Sequence, residues 1–228
     1  MFDGLPARRV SDMSMTSLHS ADVTATQVGR GQWQGAGKRL LDVIIAATAL
    51  VLLSPAFLLI AVAVRMDTAG PIFFRQRRTG LNGRVFRIMK FRSMSVVEDG
   101  DIIRHAVSND PRVTRVGEFL RKSSLDEMPQ LINVILGDMS LVGPRPHALA
   151  HDTHYGSLLP HYGLRFAVRP GLTGLAQVQG LRGEIQQLGC MAQRVDADVE
   201  YVKTWSVRRD FVILLRTIPL ILQRVNAY

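Results

Sequence analysis

The sequence predicts an α+β protein, mainly helical, in which an N-terminal membrane helix broken near Ser54-Pro55 precedes a compact domain. Three observations carry this. Val43 to Val64 is a run of 22 residues without a charged side chain, long enough to meet a bilayer. Ser54 and Pro55 stand at its middle, where proline removes a backbone donor and clashes with the preceding turn. Beyond the run, short apolar pieces are punctuated by glycine and proline, which set turns between brief elements.

The elements follow in chain order. Residues 1–37 are poor in large apolar groups and rich in Gly, Ser, Thr, Ala and Gln, a composition that cannot repay the entropy of ordering, so they read as a mobile tail. Residues 38–66 form the membrane segment. Lys38 and Arg39 lie before the apolar run and Arg65, Arg75, Arg77 and Arg78 after it, so both flanks carry the cytoplasmic signature. A helix that bends at Ser54-Pro55 and returns to the same face satisfies this, with the Ser54 hydroxyl free to serve an orphaned carbonyl. A single crossing stands level with it on these grounds. A cleaved leader is disfavoured by the long preceding tail and the lack of a small-residue cleavage motif.

Residues 67–228 read as the soluble domain. Ile72–Phe74 and Val85–Ile88, separated by Gly80-Leu81-Asn82-Gly83, suggest a hairpin or two short strands. Leu131, Ile132, Ile135 and Leu136 share a helical face that Gly137-Asp138 ends. Residues 186–203 suggest a second helix. Residues 205–225 suggest a third, amphipathic and suited to a headgroup layer or to core packing, with Pro219 expected to interrupt it.

Composition narrows the partners. Lysine and arginine outnumber acidic residues by 28 to 19, for a net charge of +9, and the excess is arginine spread along the chain, which favours a phosphate-rich partner. Charge alone does not separate nucleic acid, anionic lipid and phosphorylated metabolite. The single cysteine, Cys190, cannot form an intrachain disulfide and reads as packing.

The densest polar cluster is Ser123-Ser124-Leu125-Asp126-Glu127-Met128-Pro129. Asp126 can cap a helix, or Ser124 and Glu127 can form a capping box. Equally, adjacent carboxylates among Arg115, Arg121 and Lys122 can do chemistry, one attacking phosphorus while the other holds a divalent cation. Arg145, fixed between Pro144 and Pro146, can present its fork to a phosphate or sit on a rigid surface turn. Arg169-Pro170-Gly171-Leu172-Thr173-Gly174 can offer backbone N–H groups to an anion or simply reverse the chain. Lys90-Phe91-Arg92 is either site or salt-bridged surface, and Arg194 with Asp198 has i,i+4 ion-pair spacing. His147, His151 and His154 also show helical spacing but lack the glutamate of a zinc-protease pattern.

Taken together these phrases resemble the bacterial sugar transferase family of small polyprenyl-phosphate phosphoglycosyl transferases. The resemblance runs through Lys38-Arg39-Leu40-Leu41-Asp42, Ser54-Pro55, Lys90-Phe91-Arg92-Ser93-Met94 and the stretch from Asp110 to Gly117. It continues through Leu125-Asp126-Glu127-Met128-Pro129-Gln130-Leu131, Gly137 to Pro146, and Arg169 to Val178, in the family's order and over about 190 residues. It implies a monotopic inner-membrane enzyme with a re-entrant helix and a cytoplasmic catalytic domain. It further implies that Asp126 forms a covalent phosphosugar intermediate and that Glu127 binds Mg2+. Lys90, Arg92, Arg112, Arg145, Pro146, Arg194 and Asp198 would then form the phosphate environment. The implied partners are a UDP-hexose donor, undecaprenyl phosphate and inner-membrane lipids, with a homodimer compatible and nucleic acid not expected. Gly180-Leu181-Arg182-Gly183-Glu184 and Asp198 to Val202 resemble members that load glucose- or galactose-1-phosphate for exopolysaccharides, glucose being favoured. UDP-galactose, a UDP-N-acetylhexosamine, and a tethered anion-binding module are the alternatives. Ile185, where threonine is more usual, and Met128, where leucine is, depart from the pattern.

Overall fold

A computed structural model describes residues 35–95, 110–182 and 187–222. Most of the expected tail, Gly183-Glu184, Ile185 and Arg224 lie outside these residues. The described chain is mostly helical with two small sheets, and its first element, α1 (Ala36–Asp67), carries the apolar run.

Helix α1 is continuous, which corrects the expected break at Ser54-Pro55. Proline removes one donor, leaving the Val51 carbonyl without its intrahelical N–H, and Ser54 Oγ donates to that carbonyl at 2.8 Å. The helix thus absorbs the proline through the serine beside it. One face is bare: Val51, Leu52, Leu58 and Leu59 are each more than two-thirds exposed, and this helix is long and apolar enough to cross a membrane.

Both ends of α1 are fastened to the rest of the protein. Near its start, Arg39 donates to the carbonyls of Val134 and Ile135 (2.5 and 2.8 Å). Buried Asp42 accepts from Ser140 Oγ (2.8 Å) and the Leu141 N–H. Lys38 reaches Asp210 at 2.6 Å. At its end, the Arg92 guanidinium donates to the carbonyls of Thr68 (2.6 Å), Ala69 (2.7 Å) and Val64 (3.3 Å), satisfying the helix C-terminus. Phe57, Ile60 and Ala61 pack with Val64 against Phe91 and Leu120.

After α1 comes the antiparallel hairpin β1 (Phe73–Thr79) and β2 (Val85–Phe91), paired from Phe73↔Phe91 to Thr79↔Val85. The turn lies where the Gly-Leu-Asn-Gly signal puts it, with Asn82 at φ 54 and Gly83 at φ 75. Helix α2 (Arg115–Lys122) is capped by Thr114, whose side chain accepts from the Gly117 N–H at 3.0 Å. Helix α3 (Gln130–Leu136) ends at Gly137 in the left-handed region, φ 96, as its sequence predicts.

Strand β3 (Ser140–Val142) pairs in parallel with β4 (Gly171–Thr173), a strand that the turn-rich composition around Pro170 concealed. The glycines of those two phrases allow close backbone approach. A Cβ on Gly143 would lie 2.4 Å from the Arg169 carbonyl, and one on Gly174 would lie 2.2 Å from the Gly143 carbonyl. Helix α4 (Leu149–Leu158), the short helix α5 (Leu175–Val178), α6 (Leu188–Thr204) and α7 (Val207–Leu222) complete the order. Helix α7 runs through Pro219 without the expected interruption. The main core joins Ala46 of α1 to Phe86, Ile88, Leu131, Val134, Leu141, Tyr201 and Ile213.

Candidate active site

The acid pair lies on a single turn of 3-10 helix, Leu125–Glu127, wedged between α2 and α3. Ser124 enters it in the left-handed conformation, φ 57, and makes no side-chain cap. Helix α3 begins later, after Pro129, again without a side-chain cap. Both capping interpretations of this cluster therefore fail. Asp126 is buried, and among the described residues its carboxylate accepts no hydrogen bond.

Its neighbour is held very differently. Glu127 Oε1 accepts from Lys90 Nζ at 2.7 Å and from Arg145 Nη2, while Oε2 accepts from Arg145 Nη1 at 3.0 Å. Lys90 comes from β2 and Arg145 from the loop after β3, so the hairpin and the small parallel sheet place these cations. Burial alone would raise the Glu127 pKa, but Arg145 and Lys90 outweigh it and hold the carboxyl well below its usual range. At Asp126 burial wins: desolvation, with Glu127 adding to it, raises the pKa to about 6 against the pull of Lys90, Arg121 and Arg145. Two adjacent acids thus differ in state. One is locked as an anion; the other is an unbonded carboxylate above about pH 6.

The remaining expected residues divide. Lys90 and Arg145 join the acid pair. Arg92 does not, because its guanidinium is committed to the end of α1. Arg112 is bound by Asp110 in its own turn, at 2.7 Å from Nη2 to Oδ2. Pro146 is buried, with its carbonyl accepting from Arg78 at 3.3 Å, and so stiffens the loop that presents Arg145. Burial raises the Asp198 pKa, and Arg165 and then Arg194 act on it as neighbouring charges that lower it. Asp198 Oδ2 accepts from Arg165 Nε at 2.8 Å.

Arg165 was not singled out from the sequence. It is 3% exposed, donates to the Arg145 carbonyl at 2.6 Å, lies 3.1 Å from His147 Nδ1, and stacks 4.8 Å from the Tyr162 ring centroid. It braces the Arg145 loop from behind. The available signal was one charged residue in the run Leu164-Arg165-Phe166-Ala167-Val168, since a charge folded among apolar neighbours needs a built partner. His147 lies before α4, bonded to Tyr162 Oη at 2.7 Å, and burial with Arg165 holds it neutral. Among the described residues, no three His, Cys, Asp or Glu side chains form a metal-ligand group.

A hard divalent ion still suits the acid pair. Glu127 Oε2 takes one hydrogen bond and keeps a lone pair, and both Asp126 oxygens are unbonded among the described residues. Mg2+ commonly takes one or two carboxylates and completes its shell with water and substrate phosphates. Two cations against Glu127 speak against a preformed cage.

Comparison with known proteins places the chain in a family. The family model for bacterial sugar transferases matches residues 33–224. A Caulobacter vibrioides protein named UDP-glucose:undecaprenyl-phosphate glucose-1-phosphate transferase is 53% identical over 191 residues, covering 84% of this chain and 72% of the relative. A Xanthomonas campestris pv. campestris protein of the same name is 50% identical over 202 residues, covering 88% of this chain but 42% of the relative. The chain thus spans less than half of that longer protein. A Rhizobium leguminosarum bv. phaseoli protein named exopolysaccharide production protein PSS is 42% identical over 185 residues, 79% of this chain and 92% of the relative. With a match across most of its length, the chain belongs to the bacterial sugar transferase family.

Proposed function

We propose that this protein transfers glucose-1-phosphate from UDP-glucose to undecaprenyl phosphate, with release of UMP, as the first membrane step of an exopolysaccharide. The observation that carries the mechanism is the unequal acid pair: Asp126 buried and unbonded, Glu127 clamped by Lys90 and Arg145. Above pH 6 an Asp126 oxygen attacks the phosphorus that bears glucose, a P–O bond forms, and the bond from that phosphorus to the bridging oxygen of UMP breaks. UMP leaves with the electron pair. An oxygen of the lipid phosphate then attacks the same phosphorus, and the Asp126 carboxylate departs unchanged. Lys90 and Arg145 stand where negative charge grows on the phosphoryl oxygens. Glu127 would hold Mg2+, which neutralises diphosphate oxygens when bound.

Two supports narrow the donor and the lipid to these choices. Relatives from Caulobacter and Xanthomonas carry names that specify UDP-glucose and undecaprenyl phosphate. A covalent intermediate also lets a soluble nucleotide and an amphiphile use one site in turn. The test is to mix enzyme and UDP-glucose without lipid, quench, and weigh the intact protein. A phosphohexose adduct on Asp126, discharged by undecaprenyl phosphate, is expected. An enzyme that transfers sugar without ever carrying the adduct refutes the mechanism, and a panel of UDP-sugars checks the hexose.

The same proposal places α1 in the inner membrane as a monotopic element, with both of its ends and the domain on the cytoplasmic face. A crossing helix separates its ends by about 30 Å of hydrocarbon. Here Arg39 and Asp42 at one end and Val64 at the other all bond to residues 92–141, which supports return to one side. In a Cys190→Ser background, cysteines at positions 30 and 75 should label from the same side of inner-membrane vesicles. Opposite sides would overturn this placement.

A further inference from the structure

Most cations that the sequence offered for this site, and Arg165 behind it, have a matched acceptor. Lys90 and Arg145 face Glu127, Arg112 faces Asp110, Arg165 faces Asp198, and Arg92 faces the carbonyls that end α1. Arg182 differs. It lies in the turn after α5, half-buried, and its Nη2 donates to Ser124 Oγ at 3.2 Å. Among the described residues no carboxylate pairs with it. Ser124 stands two residues before Asp126 in the strained left-handed conformation, so this hydroxyl belongs to the turn that carries the acid pair.

A guanidinium presents five N–H donors and a charge that a neutral hydroxyl cannot balance. Burial and the nearby Arg145 both disfavour the charged form, while Glu127 and Asp126 favour it from a distance. A partly desolvated cation without a contacting anion costs free energy that an arriving phosphate returns as charge-assisted hydrogen bonds.

We propose that Arg182 is a phosphate ligand of this site, exchanging the Ser124 hydroxyl for phosphate oxygens of the substrate. The chemistry is shared by the diphosphate of the nucleotide sugar and the monophosphate of the lipid. The inference rests on the transferase function proposed above. It adds a donor arm from the turn after α5 to Lys90 of strand β2 and Arg145 of the loop after β3.

The two half-reactions separate the sources. Full-length Arg182→Met and Arg182→Lys, in detergent with magnesium, are measured for UMP release from UDP-glucose without acceptor, and for discharge of the preformed adduct by undecaprenyl phosphate. Arg182→Met should lose about tenfold or more in the kcat/KM of at least one half-reaction, mostly through KM, with Arg182→Lys recovering part. Loss in the first half identifies the donor diphosphate, and loss in the second identifies the lipid phosphate. Thermal midpoints should match wild type to within about 2 °C, excluding a folding effect. Calorimetric binding of UDP gives a readout independent of turnover. If wild type forms no adduct yet Arg182→Met weakens UDP binding about tenfold, the covalent mechanism fails and the Arg182 assignment stands. Both half-reactions within twofold of wild type in Arg182→Met, or in the absence of an adduct unchanged UDP binding, overturn it.

Discussion

Replacing Asp126 by asparagine should make the protein more stable and inactive at once. The Asp126 carboxyl has its pKa raised from 3.8 to about 6, chiefly by burial and then by Glu127, with Lys90, Arg121 and Arg145 pulling the other way. A group whose folded pKa exceeds its unfolded value favours the folded state when protonated, and that advantage disappears as pH rises through the folded pKa. About two units at about 1.4 kcal/mol each make the ionised carboxylate cost about 3 kcal/mol at pH 7.5. The same relation leaves about half of that at pH 5 and little at pH 4. Asparagine has the same shape and never ionises. Denaturant unfolding in detergent should therefore show Asp126→Asn more stable by up to about 3 kcal/mol at pH 7.5, with the gap closing by pH 4. Transfer should fall by at least about a thousandfold, on the order of 4 kcal/mol in barrier, because an amide does not attack phosphorus. A variant no more stable than wild type at any pH would refute the burial argument. Near-normal transfer by it would refute the nucleophile.

Glu127→Gln should weaken transfer at low magnesium, with part of the loss recovered at high magnesium. It also removes the anion that raises Asp126 and releases Lys90 and Arg145, so the acid limb of kcat/KM should move below pH 6; an unmoved limb would count against the coupling. Asp198→Asn takes from buried Arg165 its contacting carboxylate and leaves it Asp152 at 3.9 Å; it should cost about 3 kcal/mol, read as a lowered thermal midpoint, whereas an unchanged midpoint would show that Asp198 is not its needed partner. Arg92→Met uncaps the end of α1 and should destabilise the protein while leaving the donor KM of the remaining folded enzyme near wild type. A selective rise in that KM would return Arg92 to the phosphate site.

Local grammar was legible where a residue's own chemistry decides the backbone. The Gly80–Gly83 turn and the Gly137 stop fall where the sequence puts them, because positive φ is a property of those residues. Strand β1 reads past its apolar start only in the structure, since Arg75, Gln76, Arg77 and Arg78 break the hydrophobic pattern that announces a strand. The β3–β4 pair was hidden for another reason: its glycines answer to a backbone thirty residues away. In the site, adjacency announced Asp126 and Glu127, and the rigid Pro-Arg-Pro phrase announced Arg145. Which cation meets which acid was not legible. Arg92 and Lys90 are two residues apart with similar chemistry, and only packing sends one to Glu127 and the other to the end of α1. Arg165 bonds Asp198 across 33 residues of sequence, a contact that helical spacing cannot anticipate.

The grip of Arg92 on α1 has a mechanical meaning. Strand β2 carries the lysine that touches the acid pair, and the arginine that clasps the apolar helix follows directly after its last residue. A Cβ at Gly70, φ 126, would fall 2.0 Å from that guanidinium, so any side chain there would have to push it off the end of α1. The depth at which the helix floats and the height of Asp126 above the lipid are then a single coordinate, and the protein works as a gauge block. Thickening the bilayer should shift the reactive carboxylate relative to the plane of phosphates. For the lipid-phosphate acceptor proposed above, which cannot leave that plane, membrane thickness becomes a determinant of rate.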